Sequence, residues 1–224
     1  MAGAWALIPV KPFALAKTRL EGLLSRDECA QLAAHMLLDV LRALAATPLI
    51  EGITLLGNEP QLAALTAGSG ARLLPEPAGM DYRQALNEAA AALATQGVRQ
   101  LLVLPADLPT LTGADVRRLV EGHHSGLSLC PAARDGGSNA LLLSPPTAIP
   151  FLYGPDSAQR HLEAAQARGI AARHIDLAGF ARDIDTPDDV YWLLEQRIAC
   201  ATLAWLKSSG IRDRLRRQQK DPDS

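Results

Sequence analysis

The chain has little of what marks several large protein classes. Its three cysteines, Cys29, Cys130 and Cys200, are scattered and odd in number. They argue against a disulfide framework and a zinc site, and they fit a reducing cytoplasm. The five histidines, His35, His123, His124, His161 and His174, show no metal-ligand spacing. No apolar run is long enough to cross a membrane. The N-terminus lacks the basic segment, long apolar core and cleavage site of a signal peptide. A formal net charge of −2 gives no support for nucleic-acid binding, so an anionic ligand must be attracted by local charge. There is no Walker A pattern, which excludes a P-loop NTPase. No Gly-x-Ser-x-Gly and no cysteine–histidine arrangement indicates nucleophilic catalysis.

What is present is an ordinary globular composition, 48% hydrophobic over 224 residues, enough to bury a core without staples. Apolar runs at Trp5–Val10, Ile53–Leu56, Leu101–Leu104, Leu127–Cys130 and Ala140–Leu143 read as buried strands, with shorter ones at Arg72–Pro75 and Ala172–Leu177. Between them lie helical patterns. Ser25-Arg26-Asp27-Glu28 is a capping box before apolar residues at helical spacing, which end at Pro48. Further helices are expected over Pro60–Ala67, Tyr82–Thr95, Thr112–Val120 and from Asp156 or Ser157 to Gly169. Thr186-Pro187 opens a last helix that runs past Trp205. The alternation predicts an α/β protein with a doubly wound, mainly parallel sheet. A single domain is expected over residues 1–207, with 208–224 a polar, basic, solvated tail. The segment Leu193–Leu206 could pack on its own domain or on a second subunit in a homodimer.

The chemistry-bearing residues follow the strands. Lys11, Lys17 and Arg19 lie just past the first strand, where open α/β sheets bind ligands, in a loop stiffened by Pro9 and Pro12. Such a loop is either a solvated connector or a polyphosphate grip. Asp107, between Pro105 and Pro109 after the fourth strand, is either a turn residue or a magnesium ligand. In Asp183-Ile184-Asp185, extended backbone would place both carboxylates on one face and Ile184 in the core. Asp185 alone could be a helix-capping acid; the pair leans towards metal binding. Gly136-Gly137-Ser138-Asn139 reads as a hairpin turn or a phosphate cradle. Gly154-Pro155-Asp156-Ser157 reads as an N-cap or a helix-terminal anion site.

Trp5–Leu20, Leu104-Pro105-Ala106-Asp107-Leu108-Pro109, Ser138-Asn139-Ala140-Leu141, Gly154-Pro155-Asp156-Ser157 and Asp183–Asp189 together closely resemble the guanylyltransferase of coenzyme F420 biosynthesis. The similarity spans nearly all of residues 5–195, in order. The resemblance implies a three-layer α/β/α nucleotidyltransferase (Rossmann-like) fold, related to the molybdenum-cofactor guanylyltransferases. Members join GTP to 2-phospho-L-lactate, phosphoenolpyruvate or 3-phospho-D-glycerate and release pyrophosphate. By the same resemblance Asp107, Asp183 and Asp185 would hold Mg2+, with Lys17, Asp107 and Asp185 catalytic. Lys11, Lys17 and Arg19, with Glu76 and Gly79, would bind GTP. Ser138, Asn139, Gly154 and Ser157 would grip the acid's phosphate. Many members read Gly-Leu-Asn where this chain reads Gly79-Met80-Asp81, a departure that leans towards 3-phospho-D-glycerate, with Met80 lengthening the pocket and Asp81 taking the hydroxyl. Phosphoenolpyruvate stands close behind. The rivals are another nucleotidyltransferase, of molybdenum-cofactor or sugar type, and a catalytically silent nucleotide-binding subunit.

Overall fold

Alternation of side chains along the central strands builds two helix layers on one sheet. The computed structural model describes residues 3–67 and 69–220. Its strands are β1 (Ala4–Pro9), β2 (Ile50–Leu56), β3 (Arg72–Leu74), β4 (Leu101–Val103), β5 (Gly126–Pro131), β6 (Ser138–Ser144) and β7 (Ala172–His174). They form one sheet in the order β3-β2-β1-β4-β6-β5-β7. β6 runs antiparallel to both of its neighbours, and the other pairings are parallel. The helices are α1 (Arg26–Ala45), α2 (Leu62–Thr66), α3 (Tyr82–Thr95), α4 (Gly113–Glu121), α5 (Ser157–Ala167), α6 (Ala178–Ala181), α7 (Pro187–Leu194), α8 (Ala201–Ser208) and α9 (Ile211–Lys220).

On one sheet face, Ala6, Ile8, Leu102, Leu104 and Leu142 pack with α1 and α4 residues such as Val40, Leu44, Val116 and Leu119. On the other, Leu7, Leu101, Val103, Leu141 and Leu143 pack with Leu86, Ala89 and Leu93 of α3 and Ala165 of α5. The period-two pattern therefore generates the α/β/α layering directly. Chain direction out of the sheet reverses between β1 and β4: β2 and β3 lie on one side, β4 and β6 on the other. That is the topological switch point, where loops leaving adjacent parallel strands diverge and open a crevice.

The structure departs from the sequence expectation at the C-terminus. The expected single helix through Trp205 is three helices, α7, α8 and α9. The first part of the expected tail is helical, as α9. Ile211 and Leu215 are buried with Leu20, Leu32, Met36, Val190, Leu193 and Leu206 in a third apolar cluster. Residues 216–224 supply no described side-chain environment, and 221–224 lie outside the described residues. Trp205 packs on its own chain, stacking on His35 with centroids 5.5 Å apart and donating from Nε1 to Gln31 Oε1 at 3.1 Å. α1 thus has two buried faces, one on the sheet and one under α7–α9.

A buried carboxylate pins α8 to α1. Asp39 is 5% exposed. Its oxygens accept from Ala201 N at 2.7 Å, Thr202 N at 2.8 Å and Thr202 Oγ1 at 2.6 Å. Replacing Asp39 with Ala would leave those donors unpaired at the start of α8. The expected cost is about 2–3 kcal/mol, read from the urea midpoint at constant slope. An unchanged midpoint would show that the cap contributes nothing to docking of the C-terminal helices.

Candidate active site

The loop after β1 is held by its backbone. Two short 3-10 turns, Phe13–Leu15 and Thr18–Leu20, flank Lys17. The buried Glu59 anchors the first turn, accepting from Phe13 N at 2.7 Å and from Gln61 N at 3.0 Å. Lys17 takes a left-handed conformation, φ 57° and ψ 37°. A non-glycine residue adopts it at a cost of about 1–2 kcal/mol. Its side chain is only 7% exposed, and Nζ lies 2.6 Å from Asp107 Oδ2 and 3.5 Å from Asp185 Oδ1. Burial by itself would lower the ammonium pKa, but Asp107 and then Asp185 outweigh it and hold the group above its ordinary value. The sequence pictured three cations on a loop; one of them is instead buried in an ion pair. Arg19 stays on the surface, with Nη1 2.8 Å from Asp185 Oδ2. Lys11 Nζ lies 5.9 Å from the centre of the Tyr82 ring.

The acids converge from two segments. Asp107 leaves the end of β4, and its backbone carbonyl accepts from Ile184 N at 3.1 Å. That bond ties Asp183-Ile184-Asp185 to the β4 loop. Ile184 is fully buried, and the aspartates flanking it reach the Lys17 side, as alternation requires. The segment is locked from behind by Asp189, which is 1% exposed. Asp189 accepts from Asp185 N at 3.2 Å and Thr186 N at 2.9 Å, and pairs with Arg134 at 2.8 Å and Arg182 at 3.0 Å. Burial raises the Asp183 pKa, and the charge of Asp107 raises it further. Asp107 Oδ1 is buried with no hydrogen-bond partner. Among the described residues no three His, Cys, Asp or Glu side chains form a ready-made metal cage. The arrangement is two carboxylates bridged by an ammonium, with Asp183 beside them.

Two neighbouring cavities meet here. The larger, about 700 Å3, is lined by Lys11, Lys17, Arg19, Tyr82 and Asp107 among others. The smaller, about 480 Å3, is lined by Ser138, Asn139, Ser157 and Asp183 among others, and shares Arg19, Tyr153 and Gly154 with the larger. Ser138 and Asn139 differ from expectation: they begin β6 and do not lie in the loop before it. The Asn139 amide is spent on the fold, donating from Nδ2 to the Phe180 carbonyl at 2.8 Å. Ser157 is the first residue of α5, and Gly154 has φ 124°, which a side chain would strain.

The loop after β3 lies largely outside the two cavities. Asp81 lines the larger cavity, but its Oδ1 caps α3, accepting from Arg83 N at 2.8 Å and Gln84 N at 3.0 Å. Met80 is half-buried against the core beneath α3. Glu76, Gly79 and Met80 are not among the residues lining either cavity. Glu76 offers its backbone carbonyl to Asn58 Nδ2 at 2.9 Å.

Sequence reasoning missed Tyr82 and Tyr153, which pack edge to face with centroids 5.6 Å apart and line the larger cavity. It also missed Glu59, Asp189 and His161. Only Asp189 carried a local signal, the Thr186-x-x-Asp189 capping pattern.

Residues 4–220 match the family model described as "Guanylyl transferase CofC like". The chain is 36% identical over 193 residues to the phosphoenolpyruvate guanylyltransferase of Roseiflexus sp. strain RS-1, covering 85% of each. It is also 36% identical over 186 residues to the 3-phospho-D-glycerate guanylyltransferase of Colwellia psychrerythraea strain 34H, covering 82% of this chain and 88% of that protein. A solved structure from Desulfovibrio desulfuricans G20, described as a candidate nucleotide-diphospho-sugar transferase, has the same fold. It superposes with a TM-score of 0.77 at 19% identity, over 97% of this chain and 98% of that one. The switch-point crevice, the lysine–aspartate pair within it and these matches lead to one conclusion: the chain is a nucleotidyltransferase belonging to the CofC-like guanylyl transferase family.

Proposed function

We propose that the enzyme transfers a guanylyl group from GTP to the phosphate of a phosphorylated three-carbon acid, a step in coenzyme F420 assembly. The observation that carries this reading is the buried Lys17–Asp107–Asp185 cluster, lying where a large cavity meets a smaller, hydroxyl-bearing one. The larger cavity takes GTP, with Lys11, Lys17 and Arg19 on its phosphates. The smaller takes the acid's phosphate against Ser138, Ser157 and Gly154. An oxygen of that phosphate attacks the α-phosphorus of GTP in line. The bond from the α-phosphorus to the bridging oxygen breaks, and pyrophosphate leaves. No protein nucleophile is needed, so rate acceleration comes from alignment and charge stabilisation.

The donor set fits a magnesium ion. Asp107 Oδ1 is buried without a partner, and the carboxylates around Asp183 disfavour one another's charge. Magnesium takes one or two carboxylates and completes its shell with water and phosphate oxygens, so Asp107 with Asp183 or Asp185 suffices. When bound, it supplies charge neutralisation of the phosphates. Lys17 holds Asp107 and Asp185 together and meets the departing pyrophosphate.

The choice of acid is open to direct test. Relatives named for phosphoenolpyruvate and for 3-phospho-D-glycerate match this chain at the same 36% identity. The lean towards 3-phospho-D-glycerate loses part of its basis, because Asp81 Oδ1 is engaged at the start of α3. Asparagine caps helices as well as aspartate does. Asp81→Asn should therefore leave the product ratio unchanged when both acids compete in one reaction read by mass spectrometry. A shifted ratio would return Asp81 to the acid pocket.

Two substitutions test the cluster. Asp107→Asn keeps the shape and removes the charge, and turnover should fall by about a hundredfold or more. Turnover near that of the unaltered enzyme, with the fold intact, would remove Asp107 from the machinery. Lys17→Ala should weaken GTP binding in calorimetry. It should also cost stability, about 1–2 kcal/mol once solvent screening at the partly exposed carboxylates is allowed for. Unchanged GTP affinity and an unchanged urea midpoint would make the loop a connector only.

A further inference from the structure

The geometry points to His161 as a positioning residue that keeps one hydroxyl proton of the Ser138–Ser157 pair free for the acid's phosphate. This inference rests on the proposed function, which places that phosphate in the smaller cavity.

Leu152 N lies 2.8 Å from His161 Nε2. A backbone N–H can only donate, so Nε2 must present a lone pair. Burial lowers the His161 pKa to about 4, as does the nearby Arg160, so the ring is neutral near pH 7 and carries one proton. With Nε2 excluded, that proton is on Nδ1. Nδ1 lies 2.9 Å from Ser138 Oγ and donates to it. Ser157 Oγ lies 3.2 Å from Ser138 Oγ. The two serines own two hydroxyl hydrogens. One is spent between them, His161 takes neither, and one is left.

The opposite tautomer would reverse this. An unprotonated Nδ1 would accept the Ser138 hydrogen, Ser157 would donate to Ser138, and the pair would turn only lone pairs to the cavity. Lone pairs repel a phosphate, whereas an O–H donor binds it through a charge-assisted hydrogen bond. The Leu152 amide therefore selects the sign of the cavity wall two hydrogen bonds away. The ring is itself fully buried and packs edge to face on Tyr153, with centroids 5.2 Å apart. Both of its nitrogens are engaged, so it holds a proton in place and does not act as a base.

The first test needs no substrate. Nitrogen-15 spectra of the full-length protein distinguish the two neutral imidazole tautomers. A neutral ring with its proton on Nδ1 at pH 7 is expected for His161; a proton on Nε2, or a charged ring, overturns the inference. The second test is a double-mutant cycle on the Michaelis constant for the acid. S138A should raise that constant about tenfold, as loss of a hydrogen bond to a charged group does. H161L should raise it by less, because the free hydroxyl hydrogen survives but loses the Nδ1 donor that orients it, and leave the constant for GTP unchanged. The double variant should be no worse than S138A alone, because His161 acts through Ser138. H161Q should recover binding, since its carbonyl can accept from Leu152 while its amide donates to Ser138. Additive losses, or equal damage from H161L and H161Q, would reduce His161 to a packing residue. If the unaltered enzyme forms no product from GTP and any phosphorylated three-carbon acid, the proposed function fails, and the spectra still decide the tautomer.

Discussion

The Lys17 ammonium, on the loop after β1, stands between carboxylates brought from the loop after β4 and from the segment before α7, and the rest of the site depends on that contact. Three aspartates in one crevice repel one another, and burial makes the repulsion worse. A cation among them resolves the conflict. Moving charges out of water is expensive, so such a pair is poor evidence of stabilisation. Here it fixes position. Lys17 reaches Asp107 from a strained, left-handed backbone that Glu59 and the flanking turns hold in place. The bond from Ile184 N to the Asp107 carbonyl then carries Asp183 and Asp185 to the same spot.

The second half of the site is set by one reversed strand. β6 runs against β4 and β5, so its first residues lie at the edge where parallel β4 ends. That reversal puts Ser138 at the same end of the sheet as Asp107, and α5 brings Ser157 and His161 alongside. The two cavities therefore share a wall of Arg19, Tyr153 and Gly154. In-line transfer between two phosphates needs this proximity.

The C-terminal helices act as a brace. α1 is clamped between the sheet and the cluster formed by α7, α8 and α9. Asp39 fastens α8 to it, and Asp189 at the start of α7 holds the backbone of Asp185. The acidic segment is thus anchored to α7, which packs on the body of the protein through Val190 and Leu193. Electrostatic stabilisation relies on groups that do not reorganise during the reaction, and this bracing supplies that rigidity.

Much of the fold was legible in the sequence because its signals are local. Apolar runs marked β1, β2, β4, β5 and β6. The capping box at Ser25 marked the start of α1, and helical propensity marked Tyr82–Thr95 to the residue. The extended Asp183-Ile184-Asp185 reading followed from period-two geometry alone, and the burial of Ile184 agrees with it. The role of Asp81 as a cap was also local, since Gln84 follows three residues later, but a reading centred on the substrate passed over it. What only the tertiary structure decided involves partners far apart in the chain. Lys17 and Asp107 are 90 residues apart, and Asp39 and Thr202 are 163 apart. No local pattern encodes the antiparallel sense of β6, the burial of Ile211 and Leu215, or the engagement of Asn139 by the Phe180 carbonyl. A side chain's type and spacing determine which face of its own element it occupies. Whether that face meets water, a carboxylate or a hydroxyl depends on the order of strands in the sheet, which is settled by packing across the whole molecule.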